Sequence, residues 1–238
     1  MVVSFSTVCY NNRKERMYML RVPCLVLDHD DTVVQSETTI NYPYFCHILD
    51  VFRPGQTITL DAYIHGCYHL GFAEMCRQKY GFTEQELAEE YRGWKNYIRS
   101  HIPAPFPGID RIIQRQKEEG GLICVVSHSS EEIISRDYVT HFDLRPDDIF
   151  GWDLPEHQRK PNPYPLEQIM AKYKLTPQQL LVVDDMKPAY DMANKVGVPV
   201  AFAQWGKKDS PAICQQMRSL CDYTFESPED LGDFLFRV

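Results

Sequence analysis

Four short apolar runs constrain the fold of this chain most: CLVL at 24–27, LICVV at 122–126, LLVV at 180–183 and VPVAFA at 198–203. Each is bounded by polar or turn-forming residues and is rich in branched side chains, as expected of parallel strands covered on both faces. Helix signals lie between the later runs. SEEIISRDYVTHF follows the second, and PAYDMANKVG follows the third and ends on Gly197, a good helix stop. Thr176-Pro177-Gln178-Gln179 starts no long helix and closes a loop just before the third run. This alternation predicts an α/β core, a Rossmann-like doubly wound parallel sheet.

From Ser36 to Pro103 no strand run interrupts the chain, and the region reads as helical throughout. An apolar-periodic stretch, LDAYIHGCYHLGFAEMCRQKYG, ends at Gly81; Thr83-Glu84-Gln85-Glu86 then forms a capping box that opens ELAEEYRGWKNYI. The PAPFPG segment at 103–108 is a stiff return to the core. The expected organisation is therefore a first part of the core at 1–35, an inserted α-helical cap at 36–103 and a second part of the core at 104–238. Residues 1–18 show neither periodicity nor a cap signal. With Met17 and Met19 close before the first run, they read either as a flexible tail or as a mis-assigned start.

Composition removes several function classes. The net charge is −8 and no basic run exceeds NRKER at 12–16, so the electrostatic footprint of a nucleic-acid binder is missing. No apolar stretch approaches the roughly 20 residues that a membrane helix needs, and MVVSFSTVCY has no basic residues ahead of its apolar part, unlike a secretory signal. The 8 cysteines form no C-x-x-C pair, and Cys24 and Cys124 sit inside apolar runs as small hydrophobes. A reducing, cytoplasmic setting is the expectation, with no nucleic-acid or membrane partner; oligomeric state is not legible.

In open α/β sheets ligands bind beyond the carboxyl ends of the strands, so the residue after each run is informative. After the first come Asp28 and Asp30, after the second Ser127, after the third Asp184 and Asp185, and RKPNP with Lys160 lies between the last two. Carboxylates around one hydroxyl and one lysine suit a phosphate with magnesium, because a cation must keep the carboxylates from repelling the phosphate. Singly, each residue has a structural explanation: a strand-end Asp caps a turn, a Ser caps a helix, a loop Lys is solvated. It is their order and spacing together that point to chemistry.

With LVLDHDDTV for a D-x-D-x-[TV] loop, CVVSHSS for a Ser/Thr strand end, RKPNPYPLEQIMAKYKLTPQQLLVVDD for a K-P-x-P segment leading to an acidic pair, and the return FPG, the chain resembles the haloacid dehalogenase superfamily phosphohydrolases with a helical cap inserted after the first strand. The likeness runs from about Val22 to the end and takes in VPVAFAQWG and DYTFESPEDLGDFL. The resemblance implies a phosphoric monoester hydrolase acting on a small phosphorylated metabolite. Asp28 is then the nucleophile and Asp30 the general acid/base; Ser127 and Lys160 hold the phosphate, and Asp28, Asp30, Asp184 and Asp185 surround magnesium. A sugar-phosphate mutase of the same superfamily shares these core residues, and a catalytically silent binding protein could use the same fold.

Three departures from the family pattern stand out. Asp31 occupies the place where Gly is most common, so the turn after Asp30 is expected to be shaped differently. His128 follows Ser127, where its ring either touches the substrate phosphate or packs. Tyr164 replaces a common acidic residue and leaves the hydrogen bonding around Lys160 open. In the cap, His65 and His69 are spaced i, i+4 but lack the glutamate of a metal helix. Tyr63, Tyr68, Phe72 and Tyr80 read as cap interior, and Arg53, Arg77, Lys79, Arg92, Lys95 and Arg99 as mainly a solvated face.

Overall fold

The structure, a computed structural model, describes residues 20–237, and the expectations for residues 1–18 lie outside them. The apolar runs form β1 (Cys24–Leu27), β2 (Leu122–Val126), β4 (Leu180–Asp184) and β5 (Val200–Ala203). Two short strands that the sequence reading did not single out, β3 (Asp148–Phe150) and β6 (Tyr223–Phe225), complete a parallel sheet in the order β3-β2-β1-β4-β5-β6. Both lie at sheet edges and neither is fully buried, so neither has the apolar run that reveals an inner strand. β5 begins at Val200 rather than Val198, and Pro199, which has no N–H for the ladder, precedes it.

Between β1 and β2 the chain is helical, as expected: a single-turn irregular helix at Glu37–Asn41, then α1 (Tyr42–Phe52), α2 (Leu60–Leu70), α3 (Phe72–Tyr80) and α4 (Glu84–Ser100). The stretch ending at Gly81 is two helices, because Gly71 at φ +79° breaks it. The capping box at α4 forms in both directions: Glu86 N–H donates to Thr83 Oγ1 and Thr83 N–H to Glu86 Oε2. Tyr63 and Tyr68 are buried with Phe45 and Phe82 in one apolar cluster, against which Phe72 and Tyr80 pack. Arg53, Arg77 and Arg99 pair with Glu86, Glu84 and Glu132. His65 and His69 stack on one another, outside the one acidic or metal-ligand cluster found among the described residues.

The two chain segments that lead into and out of this helical insertion run side by side. Gln35 N–H donates to Ala104 O at 2.9 Å, and Phe106 N–H donates to Val33 O at 2.9 Å. The remaining helices are α5 (Ile109–Glu118), α6 (Glu131–Phe142), α7 (Tyr164–Tyr173), α8 (Lys187–Asn194), α9 (Pro211–Leu220) and α10 (Pro228–Phe236). Strand alternation divides them into two layers. Leu25, Leu27, Ile123, Val125, Leu181 and Val183 face α5, α6 and α10, whereas Cys24, Val26, Cys124 and Val182 face α7 and α8. No helix among the described residues is long and apolar enough to cross a membrane.

Candidate active site

The winding of the sheet reverses between β1 and β4, which leaves a crevice at their carboxyl ends. Asp28 sits there because its N–H continues the ladder to Val183 O at 3.0 Å, and Ser127 is placed likewise by donating to Phe150 O at 3.0 Å. Asp184 is the last residue of β4 and Asp185 the next. One carboxylate oxygen each from Asp28, Asp184 and Asp185 lie within 4.8 Å of one another, all three residues buried. Lys160 reaches in from the loop after β3, its Nζ 2.6 Å from Asp28 Oδ1 and 2.7 Å from Asp184 Oδ2. Burial alone would lower the Lys160 pKa, but the charges of Asp184 and Asp28 outweigh it and hold the ammonium above its ordinary value. Tyr164 does not take part: its N–H caps onto Asn162 Oδ1.

Asp30 is half-buried and its carboxylate stands apart from that trio. Ser129 Oγ donates to Asp30 Oδ2 at 2.6 Å, while Asp30 Oδ1 has no partner. Ser127 Oγ accepts the Ser129 N–H at 3.2 Å, which leaves the Ser127 hydroxyl proton free to donate. His128 has an exposed edge and its Nε2 lies 2.9 Å from Lys160 O, the donor side of the neutral ring. Crowding on its inner side and the Lys160 ammonium push its pKa down, so the ring is uncharged at neutral pH. His29, between the two acids of the D-x-D loop, turns away from the crevice and pairs with buried Asp137 at 3.0 Å.

A second buried cation was not foreseen. Lys207, in the loop after β5, is 2% exposed. Its Nζ lies 2.5 Å from Asp185 Oδ2, 3.0 Å from Asp31 Oδ2 and 3.7 Å from Glu37 Oε2. Asp31 takes the left-handed conformation, φ +54°, that favours glycine, and its Oδ1 accepts the Glu37 N–H at 3.0 Å. Gly206 lets the Lys207 loop approach: a Cβ there would stand 1.9 Å from the Asp31 carbonyl oxygen. In sequence, Gly206-Lys207-Lys208 reads as a solvated loop, and the unusual Asp31 was the one hint of a partner.

Six carboxylates, of Asp28, Asp30, Asp31, Glu37, Asp184 and Asp185, thus gather around two ammonium groups. The excess of negative charge is visible in their acidities. Burial raises Asp184 well above the carboxylate range despite Lys160, raises Asp185 to about 6 and raises Glu37 to about 8. An all-oxygen donor set with uncompensated charge fits a hard divalent cation. Beside the site, a cleft of about 510 Å³ is lined by Trp152, Glu156, Arg159, Lys160, Asn162 and Lys195. Arg159 lies over the Trp152 ring at 4.0 Å, and Trp152 meets His128 edge-on and Tyr91 of α4.

The haloacid dehalogenase-like hydrolase family model matches residues 25–203. No curated protein matches the chain in sequence. Solved structures do match in fold. A predicted phosphoglycolate phosphatase from Haemophilus somnus superposes with TM-score 0.69 at 19% identity, covering 91% of this chain and 99% of that one. A conserved haloacid dehalogenase-like protein of unknown function from Agrobacterium tumefaciens gives 0.72 at 16% identity, covering 90% and 97%. CbbY from Rhodobacter sphaeroides in complex with phosphate gives 0.67 at 15% identity, covering 89% and 96%. The match over β1 to β5, with the acids at the strand ends that it encloses, means that the chain belongs to the haloacid dehalogenase-like hydrolases.

Proposed function

We propose that the protein is a magnesium-dependent phosphatase that hydrolyses a small phosphomonoester through an aspartyl-phosphate on Asp28. The observation that carries this is the bridge from Lys160 Nζ to Asp28 and Asp184: a buried cation holds the nucleophile at the strand end and faces the place a phosphoryl group must occupy. Asp28, Asp184 and Asp185 would hold the magnesium, whose charge offsets theirs and draws electron density from the phosphoryl oxygens.

Asp28 attacks phosphorus, which splits one hard displacement into two easier ones. The free Ser127 hydroxyl and the Lys160 ammonium orient the phosphoryl oxygens. Asp30 protonates the leaving oxygen and then takes a proton from the water that opens the acyl phosphate. Its unpartnered Oδ1 supports that duty, since Ser129 fixes Oδ2 and leaves one oxygen for proton transfer. The helical insertion from 36 to 103 acts as a cap domain, hinged where Val33–Gln35 pairs with Ala104–Phe106. The printed substrates of the fold neighbours, phosphoglycolate and xylulose-1,5-bisphosphate, are small phosphorylated molecules and support that substrate class.

The test is p-nitrophenyl phosphate turnover with magnesium, with excess chelator, and by Asp28→Asn. Turnover with magnesium, and its loss in the other two, is expected; full activity in chelator or in Asp28→Asn overturns the proposal.

A further inference from the structure

Lys207 is buried, charged and unused by the chemistry above. A lysine is almost never buried unless its charge is matched, and this one is matched three times, by Asp185, Asp31 and Glu37. The three partners come from three parts of the chain: Asp185 from the end of β4, Asp31 from the D-x-D loop and Glu37 from the first turn of the helical insertion. Asp31 and Lys207 also belong together as departures. Asp31 keeps a left-handed backbone that glycine would adopt without strain, and its two oxygens are held by Lys207 Nζ and Glu37 N–H.

We propose that Lys207 is a positioning residue for the metal-binding carboxylate of Asp185, and that Asp31 and Glu37 hold Lys207 in place for it. This rests on the magnesium site proposed above. One oxygen of Asp185 is engaged by Lys207 Nζ, so the carboxylate cannot turn freely and its other oxygen is presented toward Asp28 and Asp184. Groups that orient a metal ligand in this way commonly account for 10–100-fold in metal affinity or activity.

Two physical roles for Lys207 make opposite predictions. As a mere positive charge it repels the incoming cation, and its removal should tighten magnesium binding. As a positioning group it pre-orders a ligand, and its removal should weaken binding. Lys207→Met alone strands three carboxylates and risks unfolding, so the informative pair is Asp31→Gly and Asp31→Gly/Lys207→Met. The double variant has lost one charge of each sign and keeps the balance of the wild-type cluster.

The measurement is calorimetric titration of magnesium into wild type and both variants, with kcat at saturating magnesium as a second readout. We expect binding to the double variant to be roughly tenfold weaker than to Asp31→Gly, within the range for groups that orient metal ligands, with kcat lower even when metal is saturating. Equal or tighter binding in the double variant would show that Lys207 serves only as a counter-charge to Asp31 and overturns the inference. If wild type itself takes up no magnesium, the metal site fails and the inference with it; uptake by wild type with no difference between the variants overturns the inference alone.

Discussion

Ser129 Oγ donates to Asp30 Oδ2 at 2.6 Å, so the residue proposed to move protons is anchored through one oxygen and open at the other. Removing the anchor in Ser129→Ala should leave Asp30 present but loosely aimed. The expected result is a fall in kcat of roughly tenfold with little change in KM, well short of the 100- to 10,000-fold that a general acid or base supplies. Steady-state kinetics of Ser129→Ala beside Asp30→Asn checks the order; equal losses in the two variants would mean that Ser129 contributes chemistry of its own.

Lys160 bonds to Asp28 and Asp184 and is 6% exposed, and Lys160→Met leaves both carboxylates buried without their cation. Breaking a buried pair from one side costs roughly 3–5 kcal/mol. The variant should melt well below wild type in chelator, and magnesium should restore part of the loss because it brings charge back to the same acids. A thermal melt unchanged in chelator would contradict the buried pairing.

The pH dependence of the metal-free protein follows from two acids whose folded pKa is raised, Glu37 to about 8 and Asp185 to about 6. Between their ordinary values and these raised ones the folded state holds protons that the unfolded state has lost, so stability falls as pH rises. In chelator the melting temperature should drop from pH 5 to pH 8. Magnesium, which favours the ionised carboxylates, should flatten or reverse the slope. A melting temperature that rises over this range in chelator would show that these acids are not held protonated by burial.

Gly206 faces the Asp31 carbonyl so closely that an added Cβ would stand 1.9 Å from it. The obstacle is backbone and cannot swing aside, so Gly206→Ala must displace either the D-x-D loop or the loop carrying Lys207. Activity should fall more than 10-fold, in line with what a small misplacement near reacting groups costs, while Gly55→Ala, at an open turn, should lower stability slightly and leave activity intact. Wild-type turnover by Gly206→Ala would mean that the loops separate freely.

The inner strands were legible because burial on both faces demands unbroken apolar runs, and the acids at their ends were legible because a strand fixes where its next residue points. β3 and β6 escaped for the converse reason: DIF and YTF are short edge strands with partial exposure. The break at Gly71 was masked by periodicity that continues across it, since both helices feed the same cluster around Phe45. Within the site, Lys207 was invisible because its partner Asp31 lies 176 positions away and only the closed sheet brings them together. Ser129 was hidden by standing two residues beyond Ser127, where a serine before a helix reads as a cap.

The central claim is that Asp28 is the group that becomes phosphorylated. Asp30→Asn should still form the acyl phosphate from p-nitrophenyl phosphate, whose leaving group needs little help, and should fail to hydrolyse it. Quenching that reaction in acid, followed by intact-mass analysis and peptide mapping, reads the outcome directly. The account predicts one added phosphoryl group on the peptide carrying Asp28, absent when Asp28 is also changed to Asn. A phosphoryl group on any other residue, or turnover by Asp30→Asn at the wild-type rate, would contradict it.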